Sequence, residues 1–214
     1  MKDLLILGAG GLGREVAWLV ERINSVTPQW NLIGFLDDNE ELLNRQLNGY
    51  GVAGNISDAA RFEGACFVCA IGAAAVRERI VNKVRTICPE CRFATLIDPS
   101  AIISDFVSIG EGTVIFFRNS ITVNISIGDH VIINPGCTIG HDAVLDDFVT
   151  LYPSVNISGN TRIGRCAEMG TGTQIIQGKT VGERSIIGAG AVVVRDIPAN
   201  CTAVGIPAKP IKFH

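Results

Sequence analysis

The fold is decided by residues 104–193, which read SDFVSI GEGTVI FFRNSI TVNISI GDHVII NPGCTI GHDAVL DDFVTL YPSVNI SGNTRI GRCAEM GTGTQI IQGKTV GERSII GAGAVV. Each hexad ends on an aliphatic residue or methionine, and the same register extends back through Ile103 to Ile97 without an insertion. A heptad repeat or a 3.6-residue helix would drift out of phase with a strict period of six. The period therefore indicates a solenoid of short strands.

Glycine and small residues recur at fixed places in these hexads. The residue two places before the aliphatic one is usually small or β-branched, as at Thr113, Ala143 and Ser185, and can share the interior. Short β-branched strands joined by glycine-bearing corners predict a prism-shaped parallel β-helix, with three hexads in each coil. The glycines that begin a hexad are Gly110, Gly128, Gly140, Gly164, Gly170, Gly182 and Gly188.

Composition narrows the class of protein. The chain has 214 residues, 47% of them hydrophobic, and a net charge of -3. Nucleic acids and membrane surfaces attract basic patches, so we expect neither as a partner. No apolar run approaches the roughly 20 residues of a membrane helix. The first apolar run, Leu4–Leu7, is too short for a signal peptide, and we expect a cytoplasmic protein.

The seven cysteines are an odd number in a chain without an export signal, which predicts free thiols. An alternative is a four-cysteine zinc site, because Cys66 and Cys69, and again Cys88 and Cys91, have suitable spacing. However, Cys66 and Cys69 lie in an apolar segment typical of a buried strand, where a spacing of three places side chains on opposite faces. We therefore expect buried thiols that pack as small hydrophobic groups, and no metal.

The N-terminal part shows a dinucleotide-binding fingerprint. A strand-like run, Leu4–Leu7, precedes the glycine loop 8–13; helical spacing follows over 14–24, and a second strand over 32–36 ends at two acids. Such glycines let the backbone approach a phosphate, and an acid after the second strand can accept hydrogen bonds from ribose hydroxyls. The alternative is a tight turn that binds nothing. The candidate substrate-binding residues are Gly10, Gly11, Leu12, Gly13, Asp37, Asp38 and Gly72.

The rest of this part predicts a strand at 65–71, a helix at 74–86 and a strand at 92–97. Residues 1–96 then form an α/β Rossmann-like half domain, followed by the β-helix domain and its C-terminal cap over 97–214. The first domain lacks room for the two mononucleotide-binding halves of a dinucleotide oxidoreductase. We therefore expect a nucleotide or nucleotide-linked ligand rather than nicotinamide chemistry.

The hexads and the tail 187–209, which ends VGIPAK, resemble the hexapeptide-repeat acyltransferases. With the glycine-loop domain in front, nearly the whole chain resembles the NeuD/PglD-like sugar acyltransferases. These include sialic acid O-acetyltransferases and N-acetyltransferases of nucleotide-linked amino sugars. The resemblance implies a left-handed β-helix, a homotrimer with active sites between subunits, and acetyl-CoA as co-substrate.

The resemblance also implies a site. His141 matches the catalytic base, Asp142 the acid that orients it, and Asn134 an asparagine near the acceptor. Thr150 stands where some relatives have a second histidine, and Leu12 where relatives often have a histidine in the glycine loop. The residues that match the cofactor site are Thr150, Gly170, Thr171, Gly188, Ala189 and Lys209.

Two other candidates for the chemistry are weaker. His130 is expected on the surface, at a corner of the prism. Cys137, four residues before His141, could form a Cys–His nucleophile, but it occupies the small inward position of its hexad.

The sequence thus predicts an acetyl-CoA-dependent acetyltransferase acting on the amino group of a nucleotide-linked sugar for cell-surface glycan synthesis. A sugar hydroxyl, such as one of sialic acid, is the nearest alternative acceptor. A γ-type carbonic anhydrase would need three converging histidines, and the chain has one well-placed candidate. A β-helix scaffold with a nucleotide-binding module is the non-enzyme alternative.

Overall fold

The computed structural model describes all residues from Met1 to His214, which form two compact units, Met1–Pro99 and Ser100–His214. The first unit contains helices α1 (Gly11–Val26) and α2 (Ala74–Ile87) and two 3₁₀ segments, Glu40–Leu42 and Ile56–Arg61. Its strands are β1 (Lys2–Leu7), β2 (Trp30–Leu36), β3 (Gln46–Leu47), β4 (Tyr50–Gly54), β5 (Cys66–Cys69), β6 (Arg92–Phe93) and β7 (Leu96–Ile97).

The sheet of the first unit has the strand order β3-β4-β2-β1-β5-β6. Strand β1 lies between β2 and β5 and is parallel to both, as in a Rossmann-like half domain. The apolar side chains of β1 from Leu4 to Leu7 are fully buried. This confirms the predicted α/β architecture.

One element differs from the prediction. The strand expected over 92–97 is two strands, β6 and β7, interrupted at Ala94 and Thr95. Strand β6 extends the edge of the sheet beside β5, and the chain leaves this edge after Ala94 donates to the Phe67 carbonyl. The segment 92–97 contains no glycine or proline that would mark this break in the sequence.

The second unit is the predicted left-handed parallel β-helix. Its strands form three faces, with the orders β25-β24-β22-β19-β16-β13-β10, β23-β20-β17-β14-β11-β8 and β21-β18-β15-β12-β9. The strands are β8 (Ile102–Ile103), β9 (Val107–Ile109), β10 (Val114–Ile115), β11 (Ser120–Ile121), β12 (Ile125–Ile127), β13 (Ile132–Ile133), β14 (Thr138–Ile139), β15 (Val144–Leu145), β16 (Thr150–Leu151), β17 (Asn156–Ile157), β18 (Arg162–Ile163), β19 (Glu168–Met169), β20 (Gln174–Ile175), β21 (Thr180–Val181), β22 (Ile186–Ile187), β23 (Val192–Val193), β24 (Cys201–Val204) and β25 (Lys209–Phe213).

The coils stack in exact register. Ile121 pairs with Ile139, and Ile139 with Ile157, so that equivalent positions of successive coils are 18 residues apart. From Ile115 to Val193 the aliphatic residue of every hexad is at most 2% exposed. Burial of such a side chain contributes about 1.5–3 kcal/mol. The inward residues of the hexads, one on each face of every coil, are therefore the main stabilising feature of the unit.

The corners follow the same period in their backbone conformation. The residue three places after each inward aliphatic has a positive φ, from Gly112 through Asp142 to Gly190. This conformation directs its N–H toward the preceding coil: Asp142 donates to the Val123 carbonyl at 3.1 Å, and Asn160 to the His141 carbonyl at 2.8 Å. The corners therefore continue the hydrogen-bond ladder of the strands.

The glycines that begin the hexads have a different role, which is space. All seven have an ordinary φ. An added Cβ would lie only 2.3–2.7 Å from atoms of the next coil, for example 2.6 Å from the Glu183 nitrogen in the case of Gly164. Glycine is needed here because the corners of adjacent coils approach closely.

The cysteines correct a prediction. Cys88 and Cys91 form a disulfide, whereas all seven were expected to be free. The two residues lie in a turn after α2, in which the Cys91 N–H donates to the Cys88 carbonyl at 3.0 Å, so that the turn itself brings the sulfurs together. The other five cysteines are buried free thiols, as expected.

Neither α1 nor α2 combines the length and the apolar composition that a membrane-spanning helix requires.

The close approach of the corners predicts a difference between two glycine substitutions. Gly164→Ala should lower the free energy of unfolding by about 1–3 kcal/mol, because the new methyl group must displace the main chain of the next coil. Gly178→Asn should change it by less than about 0.5 kcal/mol. Gly178 has a φ of 70° with open space around it, and Asn160 occupies the same corner one coil earlier. Chemical denaturation of both variants measures this, and equal losses would contradict the assignment.

Candidate active site

The loop after β1 has the form that the fingerprint predicts. It leaves the strand at Gly8, whose φ is +101°, and enters α1 at Gly11. A Cβ on Gly13 would lie 2.1 Å from the Gly8 carbonyl oxygen, so Gly13 permits the close packing of helix on strand. Gly10 and Gly11 have open space, which leaves the backbone of the loop approachable. Leu12 is half-buried in the first turn of α1.

The two acids after β2, Asp37 and Asp38, hold the loops at the carboxyl ends of the strands. One oxygen of Asp37 accepts from the Ala9 N–H at 2.7 Å, and the other from the Asn39 N–H at 2.8 Å. Asp38 accepts from the Ile56 N–H at 2.8 Å and forms an ion pair with Lys83 at 3.2 Å. Asp37 therefore shapes the glycine loop directly; its contact with a ribose stays a prediction.

His141 and Asp142 form a pair at the corner between β14 and β15. The Nδ1 atom of His141 lies 2.8 Å from Oδ2 of Asp142. The hydrogen bond from His141, followed by one from the Asn124 amide, lowers the pKa of Asp142 below its ordinary value. Asp142 is therefore a carboxylate near neutral pH, and Nδ1 must be the donor. Neutral His141 then carries its lone pair on Nε2, the form that a general base requires.

This base is accessible, since the His141 side chain is 51% exposed. It projects from a corner whose main chain is fixed by hydrogen bonds to both adjacent coils, through the Asp142 N–H and the His141 carbonyl. An oriented imidazole on a rigid corner can accept a proton from an attacking amine or hydroxyl.

The N-terminal unit and the whole chain both match known proteins. Residues 3–84 match the family model described as the PglD N-terminal domain. The chain is 30% identical to GDP-perosamine N-acetyltransferase from Escherichia coli O157:H7, over 97% of this chain and 95% of that protein. The chain belongs to the NeuD/PglD-like family of sugar acyltransferases.

Solved structures of this kind agree over nearly the full length. The acetyltransferase domain of PglB from Neisseria gonorrhoeae in complex with acetyl coenzyme A has a TM-score of 0.90 and 34% identity, covering 98% of this chain and 99% of that one. A histidine-to-asparagine mutant of perosamine N-acetyltransferase from Caulobacter crescentus, in complex with CoA and GDP-perosamine, has a TM-score of 0.90 and 28% identity, covering 99% and 98%.

Other relatives align only in part. The matches span 42% of a putative acetyltransferase from Schizosaccharomyces pombe, at 41% identity, and 34% of a serine acetyltransferase from Synechococcus elongatus, at 33% identity. Similarity over nearly the whole chain is thus found with the perosamine N-acetyltransferases and with the acetyltransferase domain of PglB.

Five of the six residues matched to the cofactor site in this family, all except Thr150, lie at or beside a second corner of the prism. Gly170 and Gly188 occupy the same position in successive coils, and a Cβ on Gly170 would lie 2.6 Å from the Ala189 nitrogen. Thr171 and Ala189 beside them are exposed. Lys209 lies near these residues because β25 pairs with β24 so that Lys209 is opposite Val204, and the Val204 side chain lies beside Gly188. Their contacts with CoA stay predictions.

Thr150 and Asn134 differ from this group. Thr150 is fully buried in β16, which argues against a side-chain contact with CoA. Asn134 begins its hexad, in the same column as Gly170, and its amide donates to the Leu151 carbonyl at 2.8 Å. This bond gives Asn134 a structural role in joining two coils, and its place near the acceptor stays a prediction.

The His141 corner and the cofactor corner are separated by one face of the prism. His141 follows β14 on the second face, whereas Gly170 and Gly188 follow β19 and β22 on the first. In a single chain these groups therefore stand at opposite edges of the face that carries β14.

His130 was wrongly predicted to lie on the surface. Its side chain is completely buried and stacks on Phe148, with ring centroids 5.1 Å apart and an interplanar angle of 14°. Both occupy the same corner of successive coils, and the stacking of coils places one ring on the other. The guanidinium carbon Cζ of Arg165 lies 4.8 Å from the centroid of the Phe148 ring. His130 is buried because aligned side chains of successive coils pack on one another at this corner. Its position in the hexad predicts a corner, but it does not show which side chain covers the ring.

Cys137 is not an available nucleophile. It is buried and donates to the carbonyl oxygens of Asn134 and Tyr152 at 3.2 and 3.3 Å. Burial raises the pKa of its thiol to about 11, so that it stays protonated near neutral pH. Its inward position agrees with the interpretation of the hexad.

Gly159 is a residue of the site that sequence reasoning missed. A Cβ at this position would lie 2.6 Å from both Cε1 and Nε2 of His141. The imidazole therefore lies against bare backbone of the next coil. The available signal was the spacing, because Gly159 stands one 18-residue coil after His141.

The His141–Asp142 pair makes a prediction about titration. In His141→Ala the pKa of Asp142 should rise toward the ordinary value of about 3.9, because the hydrogen bond that stabilises the carboxylate is lost. In the wild type the hydrogen-bonded His141–Asp142 pair is fully formed at pH values above about 3.9. It is lost as the pH falls through the lowered pKa of Asp142. Carboxyl NMR shifts measure this, with His214→Ala as the control. An Asp142 that titrates identically in His141→Ala and the wild type would contradict the pairing.

Proposed function

We propose that this protein transfers the acetyl group of acetyl-CoA to the amino group of a nucleotide-linked amino sugar, as a step of cell-surface glycan synthesis. The observation that carries the proposal is the oriented His141–Asp142 pair, on a chain that aligns from end to end with GDP-perosamine N-acetyltransferase. Solved relatives with GDP-perosamine, CoA or acetyl-CoA bound support both substrates.

The reaction follows from the geometry of the pair. The amine nitrogen attacks the thioester carbonyl carbon while Nε2 of His141 accepts its proton. Asp142 stabilises the imidazolium that forms, through the hydrogen bond on Nδ1. The tetrahedral intermediate then collapses as the C–S bond breaks, and the proton passes to the sulfur to give CoA and the acetamido sugar. Backbone N–H groups stabilise the oxyanion, by about 3–4 kcal/mol for a well-placed donor.

The N-terminal unit has a separate role in this proposal. Its glycine loop, with Gly10 and Gly11 open, holds the phosphate groups of the nucleotide, and the edge around Asp37 and Asp38 holds the ribose. Leu12 stands where many relatives have a histidine, so this position contributes to the choice of nucleotide or sugar.

The active site is completed by a second subunit. The base and the cofactor residues stand at different corners of the prism, and one substrate must contact both. Packing of the His141 corner of one subunit against the Gly170–Gly188 corner of another would bring them together. In a closed ring of three, every corner of this kind finds a partner. The separation of the corners supports a homotrimer.

The same proposal places the protein in the cytoplasm, because acetyl-CoA and nucleotide-linked sugars are cytoplasmic metabolites. Recovery of the native protein in the membrane fraction would contradict this placement.

A thiol-release assay with acetyl-CoA tests the proposed activity. The acceptors are amino sugars linked to GDP, UDP and dTDP, the corresponding hydroxyl sugars, and sialic acid. CoA release should depend on a nucleotide-linked amino sugar, and mass spectrometry should show acetylation on nitrogen. Activity on sialic acid alone would overturn the proposal in favour of the O-acetyltransferase alternative.

In the same assay His141→Asn should lower kcat by about 10²- to 10⁴-fold, the usual contribution of a positioned general base. Binding of CoA, measured by calorimetry, should persist, since the residues matched to the cofactor site are unchanged in this variant. His214→Asn is the matched control and should keep full activity. A kcat for His141→Asn within a factor of three of the wild type would refute the base assignment.

Sedimentation equilibrium tests the assembly. The protein should sediment at three times the 22.8 kDa mass of the chain. An active monomer would exclude sites shared between subunits.

A further inference from the structure

The first unit contains a completely buried arginine that the proposed mechanism does not use. Arg77 is 0% exposed and faces the interior from the start of α2, on the same side as Ala74 and Val81. Its guanidinium Nη1 donates to the carbonyl oxygen of Ile71 at 2.6 Å and to that of Gly72 at 3.0 Å. Arg77 therefore holds the loop that connects β5 to α2.

This loop lies where an open parallel sheet binds its ligand. The chain passes from β1 to β2 on one side and later returns to β5 on the other side of β1, so the order of connection reverses between β1 and β5. Ligands of such sheets bind in the crevice outside the carboxyl ends of the two strands at this point. The glycine loop forms one wall of that crevice, and Ile71–Gly72 forms the other.

The two walls are in direct contact. A Cβ on Gly8 would lie 3.2 Å from both the Ala70 carbonyl oxygen and Cγ1 of Ile71, and the Ala70 N–H donates to the Leu7 carbonyl at 2.9 Å. A change in the path of the loop at Ile71–Gly72 would therefore reach the glycine loop.

The position of Arg77 is unfavourable on general grounds. A cation in the first turn of a helix opposes the helix dipole, which favours negative charge there. Burial of a charge is costly, and well-packed apolar residues often replace such groups without loss of stability. Arg77 also acts on Cys69 at the end of β5. Burial raises the pKa of the Cys69 thiol to about 12, and the positive charge of Arg77 partly opposes this rise. The structure ties this buried cation to the loop by its two carbonyl bonds.

What the arginine provides is a fixed direction for two peptide groups. In a trans peptide the C=O and the N–H point in opposite directions. Because the carbonyls of Ile71 and Gly72 both point to Arg77, the N–H groups of Gly72 and Ala73 are turned to the other side of the loop. A planar guanidinium can hold two carbonyl oxygens at once, which a lysine ammonium does with much less geometric control.

We propose that Arg77 is a positioning residue for the nucleotide part of the substrate, acting by fixing the Ile71–Gly72 wall of the crevice through its two carbonyl bonds. This inference rests on the proposed function for the identity of the substrate. It assigns to nucleotide binding a side chain that is buried beneath the site.

The test compares Arg77→Met and Arg77→Lys with Arg79→Met. Arg79 is exposed on the same helix, and its replacement removes the same charge. In Arg77→Met the KM for the nucleotide-linked amino sugar should rise about tenfold or more, as expected when one good interaction is lost. The KM for acetyl-CoA and kcat should stay within a factor of two, and Arg77→Lys should restore binding only in part. Arg79→Met should match the wild type.

Circular dichroism and thermal unfolding accompany each variant. An unchanged KM for the sugar in a folded Arg77→Met would overturn the proposal. So would a parallel loss of kcat and of affinity for both substrates that follows the folded fraction. Should Arg77→Met not fold, Arg77→Lys carries the test by the same criteria.

Calorimetry with GDP, UDP and dTDP separates this inference from the proposed reaction. If the wild type binds one of these nucleotides but acetylates no amino sugar, the proposed function fails, and a weaker nucleotide affinity in Arg77→Met still supports the positioning role. If the wild type acetylates an amino sugar and Arg77→Met binds nucleotide equally well, only the positioning role fails. A wild type that neither binds nor reacts overturns both.

Discussion

The stacking of each 18-residue coil on the next is the constraint on which the β-helical unit depends. Main-chain hydrogen bonds between coils run along the strands and continue through the corners, where from His130 to Gly190 the N–H of each positive-φ residue bonds to the previous coil. No insertion interrupts this ladder, and it aligns equivalent residues in columns, such as Ile121, Ile139 and Ile157. Side chains inside the prism are buried by this alignment, and side chains at the corners meet their counterparts in the coils on either side.

The chemistry of the proposed site follows from these columns. His141 stands at a corner held by hydrogen bonds on both sides, its ring lies against Gly159 one coil later, and Asp142 orients it from the adjacent position. The same principle gives opposite results for the two corner histidines. Phe148 follows His130 in its column and buries it, whereas a glycine follows His141 and leaves it accessible. The neighbour one coil away determines whether a corner histidine is part of the core or available for proton transfer.

The N-terminal unit uses backbone groups instead. Two loops at the carboxyl ends of β1 and β5 meet, and each is held from beneath by a charged side chain: Asp37 binds the glycine loop, and Arg77 binds the loop at Ile71–Gly72. Both side chains bind main-chain atoms of these loops. In the proposed function such a crevice would recognise its ligand through the fixed direction of its peptide groups, which suits the phosphates and hydroxyls of a nucleotide.

The sequence by itself determined the β-helix, the glycine-loop unit and the place of His141 and Asp142 at a corner of the prism. These features are periodic or contiguous, so each residue can be interpreted from its immediate neighbours and the hexad frame. Only the tertiary structure decided that His130 is buried, that the segment 92–97 is two strands, and that Cys88 and Cys91 are bonded. It also decided that Gly159 makes room for His141 and that Arg77 is buried and donates to the carbonyls of Ile71 and Gly72. Each of these depends on distances between atoms that the local pattern does not specify, because a contact one coil away, or across a turn, is set by how the backbone packs.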